Sequence, residues 1–168
     1  MNIRNEKDSD KNIIWKVNAE AFETEAEANL VNTLRDTGIY FTSLVAEEDE
    51  EIVGHIFFTL VELTGDDSDL KLMGLPPMAV LPKLQNKGIV SQLVKTGIEN
   101  CSNQGYDAIF VLGHTEYYPK SGFVPSVKYG IKSEYDVPDE AFMVLELKEY
   151  SLKDKTGIIK YHAAFGSV

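Results

Sequence analysis

Residues 78–91 bring together, in one short stretch, groups that could bind an anion. The stretch reads as an apolar strand, a short loop and the start of a helix, and the loop carries Gln85, Lys87 and Gly88. A helix start has about half a positive charge and several backbone N–H groups without an acceptor. Because Lys83 and Lys87 lie close by, the pattern predicts a site for a phosphate-bearing ligand.

A second stretch, residues 113–118, contains His114, Glu116 and Tyr118. It follows an apolar run at 108–112 that predicts a short buried strand. The carboxyl ends of sheet strands are where α/β proteins place their chemistry. This stretch is therefore the second candidate functional region.

The elements around both stretches predict how they are positioned. A strand, a long helix and the strand at 108–112 indicate a unit in which the two strands run parallel. Pro76-Pro77 should interrupt the strand predicted for residues 70–80, because proline cannot donate to a sheet ladder. The helix has an apolar face at helical spacing, formed by Val90, Leu93, Val94, Gly97, Ile98 and Cys101.

The rest of the chain predicts one domain, built as a mixed sheet with helices on its faces. Thr24 and Glu27 have the spacing of a capping box, which predicts the start of the second helix. His55 lies in a predicted strand and is interpreted as a structural histidine, with substrate binding as the alternative. The tail at 156–165 is apolar enough to pack. The predicted elements are a strand at 1–6, helices at 8–21 and 24–38, and strands at 41–47, 52–62, 123–131 and 142–149.

Composition narrows the class of protein. The chain has 168 residues, 43% of them hydrophobic, and a net charge of −11. Such an acidic surface disfavours nucleic acid and anionic membranes, and favours a neutral or cationic partner. Cys101 is the only cysteine, so no internal disulfide or thiolate metal cluster is expected. With no apolar leader or membrane-length run visible, we expect a cytoplasmic protein.

Two motifs resemble those of the GNAT superfamily of acyl-CoA-dependent N-acetyltransferases. Val80-Leu81-Pro82 followed by Gln85-Asn86-Lys87-Gly88-Ile89-Val90 resembles the family's V-x-P and Q/R-x-x-G-x-G/A. Tyr118-Pro119-Lys120-Ser121-Gly122-Phe123 resembles its Tyr-x-x-x-Gly-Phe element. The motifs occur in the family's order and separation. The resemblance covers most of the chain and is closest to the YhbS-like branch.

The resemblance implies a single GNAT-like acetyltransferase domain over residues 1–168. Its sheet would be mixed and mostly antiparallel, with a central splayed parallel strand pair and helices on both faces. Acetyl-CoA would be the cosubstrate, with no metal. The pantetheine arm would pair with a strand edge and the pyrophosphate would lie on the turn that follows. The implied cofactor-binding residues are Met78, Ala79, Val80, Gln85, Asn86, Lys87, Gly88, Ile89, Val90 and Ser91.

Val90 departs from the family pattern, which has Gly or Ala at this position. A β-branched side chain crowds the approach of phosphates to the backbone, so we expect weaker or shifted CoA binding. The hydroxyl of Ser91 could compensate in part.

The resemblance also implies roles in catalysis. Tyr118 would be the general acid that protonates the leaving thiolate, and the Val80 N–H would polarise the thioester. The general base is open among Glu116, His114 and Glu62. The predicted function is acetyl transfer to a primary amine of a small molecule or peptide. The alternative is a non-catalytic acyl-CoA-binding sensor or interaction protein, and a homodimer is left open.

Overall fold

The computed structural model describes residues 1–65, 69–75, 78–113 and 118–167. The chain forms two compact units. The first comprises Met1–Thr59, Pro77–Gly97 and Ala163–Val168, and the second comprises Leu60–Pro76 and Ile98–His162. One strand and one helix contribute residues to both units.

The described residues form three α-helices and ten strands. The helices are α1 Lys11–Ala21, α2 Ala26–Asp36 and α3 Ile89–Asn103. The strands are β1 Asn2–Asn5, β2 Phe41–Glu48, β3 Glu51–Thr64, β4 Leu72–Leu75, β5 Met78–Val80, β6 Ala108–Leu112, β7 Val124–Pro125, β8 Ile131–Ser133, β9 Phe142–Glu146 and β10 Gly157–Lys160.

In the first unit, β1, β2, β3 and β5 pair antiparallel in that order. Alternate residues of β3 face opposite sides of the sheet, as the period of a strand requires. On one side, α1 and α2 pack their apolar stripes against Phe57, Val45 and Ala79. On the other side, Leu93 and Ile89 of α3 lie against Gly54. Helices therefore cover both faces of this part of the sheet, as predicted.

The second unit contains the predicted parallel pair. Strand β4 runs parallel to β6, with Leu72 opposite Ala108 and Leu75 opposite Val111. Strands β6 and β9 pair antiparallel, as do β9 and β7. The core of this unit is apolar and contains Val61, Leu72, Phe110, Ile131, Phe142, Val144 and Ile159. The chain thus has a mixed, mostly antiparallel sheet with the β4–β6 parallel pair, and the predicted fold class is confirmed.

The prediction of one strand at 123–131 is wrong. Strand β7 has two residues, a 3-10 turn follows at Ser126–Tyr129, and β8 begins at Ile131. Pro125 has no N–H to continue a ladder. Ser126 Oγ donates to the Ile131 carbonyl at 2.7 Å, and Gly130 takes a left-handed conformation with φ of 76°. These features close a turn where the sequence pattern is that of a strand.

The tail also forms more structure than the packing predicted from its composition. Strand β10 pairs antiparallel with the end of β3 and parallel with β8. This second parallel pair joins segments that are distant in sequence, and no local pattern indicates it.

Two local predictions about the first helices are also corrected. Thr24 Oγ1 accepts the Ala26 N–H at 3.2 Å, but α2 begins at Ala26 and no reciprocal bond from Glu27 completes a capping box. The sequence pattern of Ile13, Ile14, Val17 and Ala21 predicts one apolar face for α1, but Ile13 is 41% exposed. Within the described residues, none of the helices is both long and apolar enough to cross a membrane.

Candidate functional site

Strand β5 turns one of its edges away from its partner. Ala79 lies opposite His55 and Val80 opposite Gly54, and the Leu81 N–H donates to the Val53 carbonyl at 2.9 Å. Hydrogen-bonded and non-hydrogen-bonded pairs alternate along an antiparallel ladder. Ala79 therefore exchanges hydrogen bonds with β3, while the N–H and C=O groups of Met78 and Val80 point away from it.

That outer edge of β5 has no strand partner within the described part of the chain, where β5 pairs with β3 alone. Pro76-Pro77, predicted to break the strand just before β5, lie outside the described residues. The outward N–H and C=O groups of Met78 and Val80 can pair with an extended ligand as a neighbouring strand would. This is the backbone arrangement that their predicted role requires.

Gln85 links the strand to the turn that follows. Its side-chain Nε2 donates to the Val80 carbonyl at 3.2 Å. The bond engages the outward carbonyl of Val80 and leaves the Val80 N–H as a donor on the outer edge. The sequence motif placed Gln85 in the anion-binding turn but did not indicate this contact.

The turn itself, residues 85–91, is called the α3 turn below. Asn86 and Gly88 both have positive φ, 65° and 83°, and residues 85–88 are exposed. The first α-helical bond of α3 runs from the Gln92 N–H to the Gly88 carbonyl at 3.2 Å. The N–H groups of Ile89 and Val90 come before this bond, and N–H groups at this position of a helix can bind an anion.

Charge and space at the α3 turn favour the same ligand. Lys83 and Lys87 are exposed, and neither forms an ion pair with a described residue. A Cβ added at Gly88 would meet no atom within 4 Å. The side chain of Val90 is half-buried in the first turn of α3. The turn therefore offers positive charge and open space.

Two glycines set how closely α3 lies on β3. A Cβ at Gly97 would approach the Phe58 ring to 2.4 Å, and one at Gly54 would lie 3.1 Å from Leu93 Cδ1. Neither position has room for a larger side chain without movement. In the sequence, Gly97 belongs to the apolar face of the helix, and no further role is predicted for it. Its position opposite a buried aromatic ring is decided by tertiary packing.

His55 lies on β3, opposite Ala79 of β5, and is fully buried. Asn18 Nδ2 lies 3.1 Å from His55 Nδ1, and Ser43 Oγ lies 2.8 Å from Nε2. Asn18 Nδ2 is a donor, so Nδ1 accepts and the ring proton is on Nε2. Burial, with a smaller effect of the Arg35 charge, lowers the pKa of His55 to about 3. The interpretation as a structural histidine is confirmed, since both ring nitrogens have partners and the ring is neutral.

Tyr118 begins a 3-10 turn in the second unit and is 4% exposed. Its ring packs edge-on against Phe123 with centroids 5.5 Å apart. A Cβ at Gly113 would lie 3.3 Å from Tyr118 Cε2, so the ring lies beside the carboxyl end of β6. The phenol is thus fixed at the strand end where the sequence placed it. Its role as an acid stays a prediction.

The structure describes one of the three candidates for the general base. His114 and Glu116 lie outside the described residues. Glu62 is exposed on β3, opposite Lys160 of β10. Opposite charges directly across two antiparallel strands, as at Glu62 and Lys160, stabilise the surface of a sheet modestly. Within the described residues, no three His, Cys, Asp or Glu side chains group together as a metal site would require.

Comparison with known proteins identifies the family. The model of the acetyltransferase (GNAT) domain matches residues 2–125. The uncharacterized N-acetyltransferase YhbS of Escherichia coli K12 is 34% identical over 146 residues, which are 86% of each chain. The uncharacterized N-acetyltransferase YjhQ of the same strain is 36% identical over 135 residues, covering 79% of this chain and 75% of YjhQ.

Comparison with solved structures indicates the same family. The crystal structure of Escherichia coli YhbS in complex with CoA is 32% identical and superimposes with a TM-score of 0.93, covering 98% of this chain and 91% of the other. A GNAT family acetyltransferase from Brucella melitensis in complex with acetyl-CoA is 30% identical, with a TM-score of 0.80 and coverage of 98% and 97%. On sequence and fold together, the chain belongs to the GNAT family of acetyltransferases.

Proposed function

We propose that this protein transfers the acetyl group of acetyl-CoA to the primary amine of a cationic small molecule or peptide. The observation that carries the proposal is the outer edge of β5, which leads directly into the exposed, lysine-bearing α3 turn. The edge suits the amides of pantetheine, and the turn suits a pyrophosphate. The CoA and acetyl-CoA in the two related structures support the same donor.

In this proposal, the chain's own groups divide the reaction between them. The Val80 N–H donates to the thioester oxygen and stabilises the charge that develops there as the amine attacks. A new C–N bond forms and the C–S bond breaks. The proton lost by the amine goes to a base or to water, and Tyr118 supplies a proton to the leaving sulfur.

The expected size of these effects follows from reference acidities. An alkylamine with a pKa of about 10.4 is about one part in a thousand neutral at pH 7, so a positioned base is worth roughly 10²–10⁴-fold. A phenol has a reference pKa of about 10 and a thiol about 8.5, so full transfer from phenol to free thiolate is uphill. Tyr118 therefore acts while the C–S bond is breaking, and its proton passes to the sulfur as negative charge develops there, not after a free thiolate has left.

The net charge of −11 supports a cationic acceptor, because an acidic surface attracts cations over distances of a Debye length. The same charge disfavours nucleic acid as a partner. We place the enzyme in the cytoplasm, where acetyl-CoA is available to it.

The test is the substitution Tyr118→Phe, with the exposed Tyr40→Phe as the matched control. Thiol release from acetyl-CoA is measured with a panel of amines, and acetyl-CoA affinity is measured by calorimetry. We expect Tyr118→Phe to lower kcat by about 10²-fold while the dissociation constant changes less than about twofold. Tyr40→Phe should match wild type in both.

Equal turnover by wild type and Tyr118→Phe would overturn the assignment of the acid. If wild-type protein does not bind acetyl-CoA, the proposed function fails. Tight binding without turnover of any amine would instead support the acyl-CoA sensor, the function that Val90, in place of the family's Gly or Ala, favours.

A further inference from the structure

Helix α3 lies on β3 through two glycines, Gly54 on the strand and Gly97 on the helix. A Cβ added at Gly97 would overlap Cε2 and Cζ of Phe58 and would lie 3.7 Å from its Cδ2. A Cβ added at Gly54 would lie 3.1 Å from Leu93 Cδ1 and 3.3 Å from Ile89 Cγ2. Carbon atoms in contact normally lie about 3.5–4.0 Å apart, so a methyl group has no room at Gly97 and little at Gly54. We call these five residues, all in the first unit, the α3–β3 contact.

Glycine at position 97 is not explained by the backbone. Gly97 lies in the interior of α3, Ile89–Asn103, where glycine is the least favourable residue after proline. Its φ is not positive, unlike that of Gly88, so its backbone conformation is open to any residue. What glycine provides here is the absence of a side chain. The helix is therefore less favourable in itself, and in return it lies directly against the Phe58 ring.

The other end of the α3–β3 contact lies beside the strand proposed to pair with pantetheine. Gly54 is opposite Val80 of β5, and its added Cβ would also lie 3.3 Å from the Ala79 carbonyl oxygen. Ile89, which packs against Gly54, is the first residue of α3 and is 4% exposed. The start of α3 is therefore seated on the part of β3 that pairs with β5.

The segment that joins β5 to α3 does little to fix the position of the helix. Residues 82–88 are exposed apart from the half-buried Leu84, and the bond to the Val80 carbonyl comes from the exposed side chain of Gln85. Exposed residues form few packing contacts. Leu93 and Val94, by contrast, are fully buried. How closely α3 packs on β3 therefore decides where the α3 turn lies relative to the outer edge of β5.

We infer that Gly97 is a positioning residue for acetyl-CoA, because it sets the distance between the β5 edge and the α3 turn. The inference rests on the proposed function, in which one acetyl-CoA molecule reaches both places at once. Its pantetheine arm has a limited length, so edge and turn must lie at a matching distance. A methyl group at Gly97 needs about 1 Å more room. Close-packed interiors transmit such a displacement, so it reaches the start of α3.

Gly97→Ala tests the inference, with acetyl-CoA binding measured by calorimetry. A displacement of 1 Å costs up to about 10²-fold at reacting groups, and the Phe58 ring takes up part of it, so we expect the dissociation constant to rise about tenfold. A merely structural role would lower the fraction of folded protein, and hence the binding stoichiometry, but not the affinity of the folded molecules. Ser102→Ala, at an exposed position of α3 outside the contact, is the control and should bind as wild type.

A second variant keeps the methyl group and removes the atoms that it would overlap. Phe58→Leu has no counterpart of Cε2 and Cζ, and its nearest carbon takes the region of Cδ2, 3.7 Å from the added Cβ. Gly97→Ala combined with Phe58→Leu should bind acetyl-CoA within about twofold of wild type, because the two changes compensate at one contact. A thermal melt should show the double variant to be less stable than wild type, since the core loses part of a buried ring.

Gly54→Ala tests the other end of the contact and serves if Gly97→Ala does not fold. Its added Cβ meets atoms at 3.1–3.3 Å, a smaller overlap than at Gly97. The displacement of Ile89 should therefore be smaller, and we expect the dissociation constant of acetyl-CoA to rise about threefold.

The outcomes separate the inference from the proposed function. If wild type does not bind acetyl-CoA, the proposed function fails and the inference fails with it. If wild type binds but folded Gly97→Ala, or Gly54→Ala in its place, binds equally tightly, the inference is overturned and the proposed function stands. Weaker binding by Gly97→Ala that Phe58→Leu does not restore also overturns it, because the loss would then not arise at this contact.

Discussion

The α3 turn and the α3–β3 contact differ both in chemistry and in how the chain builds them. The turn is one contiguous stretch that presents backbone N–H groups and Lys87, and Lys83 lies two residues before it. The contact joins two elements, since Gly97 of α3 lies against Phe58 of β3. A backbone anion site needs a local conformation, whereas a packing contact between helix and strand needs distant segments to meet.

The difference also bears on how an acidic protein can bind an anionic donor. The net charge of −11 opposes a pyrophosphate at long range. The N–H groups at a helix start and the lysines proposed to bind the donor would act at contact distance, where the long-range field matters less. The α3–β3 contact is apolar and has no charge of its own. We therefore expect a change in charge to affect ligand binding through the turn, and a change in side-chain volume to affect it through the contact.

The largest expected effect concerns the strand that supports the α3 turn. His55 is neutral when folded, with a pKa of about 3, and has a pKa near 6.5 when unfolded. Its folded pKa is depressed, so its contribution to stability is fully present above about pH 6.5 and is lost as the pH falls toward 3. Between pH 7 and pH 5 the free energy of unfolding should fall by about 2 kcal/mol from this residue.

Urea denaturation at the two pH values measures this loss. His55→Gln cannot take up the proton and should show a smaller fall between pH 7 and pH 5, even if it is less stable at both. His162→Gln is the control, since its ring is not fully buried. An equal fall in wild type and His55→Gln would refute the role of His55.

A second experiment removes the charge of the α3 turn. Replacing Lys83 and Lys87 together by Gln should raise the dissociation constant of acetyl-CoA by about tenfold, because two contacts to phosphate of roughly 0.7 kcal/mol each are lost. The melting temperature should not fall, because the two exposed lysines take no part in the α3–β3 contact. Lys153→Gln, another exposed lysine, serves as control. Calorimetry and a thermal melt test the two statements; a lower melting temperature would show that the turn and the contact do not respond separately.

The smallest expected effect comes from Val90. Val90→Ala removes two methyl groups from the first turn of α3 and replaces a β-branched residue by the best helix former. Acetyl-CoA should bind about threefold more tightly, without loss of stability. Titration with acetyl-CoA, paired with a thermal melt, measures both. Weaker binding by the Ala variant would show that Val90 contacts the ligand favourably and does not crowd it.

Part of this protein could be predicted from particular residues. The helix of residues 90–101, the hairpin of β2 and β3, and the parallel pairing of β4 and β6 follow from periodicity and element order. The motif around Gly88 predicted an exposed turn at a helix start, and the structure has one. The helix, the hairpin and the turn depend on interactions among residues close in sequence, which the local pattern records, whereas the parallel pairing follows from the order of strand, helix and strand.

Other features depended on contacts that no local pattern contains. The strand predicted at 123–131 is split by the bond from Ser126 to Ile131 and by the conformation of Gly130. Its second half, β8, then pairs with β10 from the tail. Neither the split of this strand nor its pairing with the tail has a signature in the local pattern.

The amino-acid sequence by itself determined the family, the turn that begins α3 and the tyrosine that follows β6, because each is a motif of neighbouring residues with its own backbone requirement. Only the tertiary structure decided which edge of β5 is open and how closely Gly97 lets α3 approach Phe58. These depend on strand register and on packing between distant segments, where a shift of one residue reverses the face that a side chain presents.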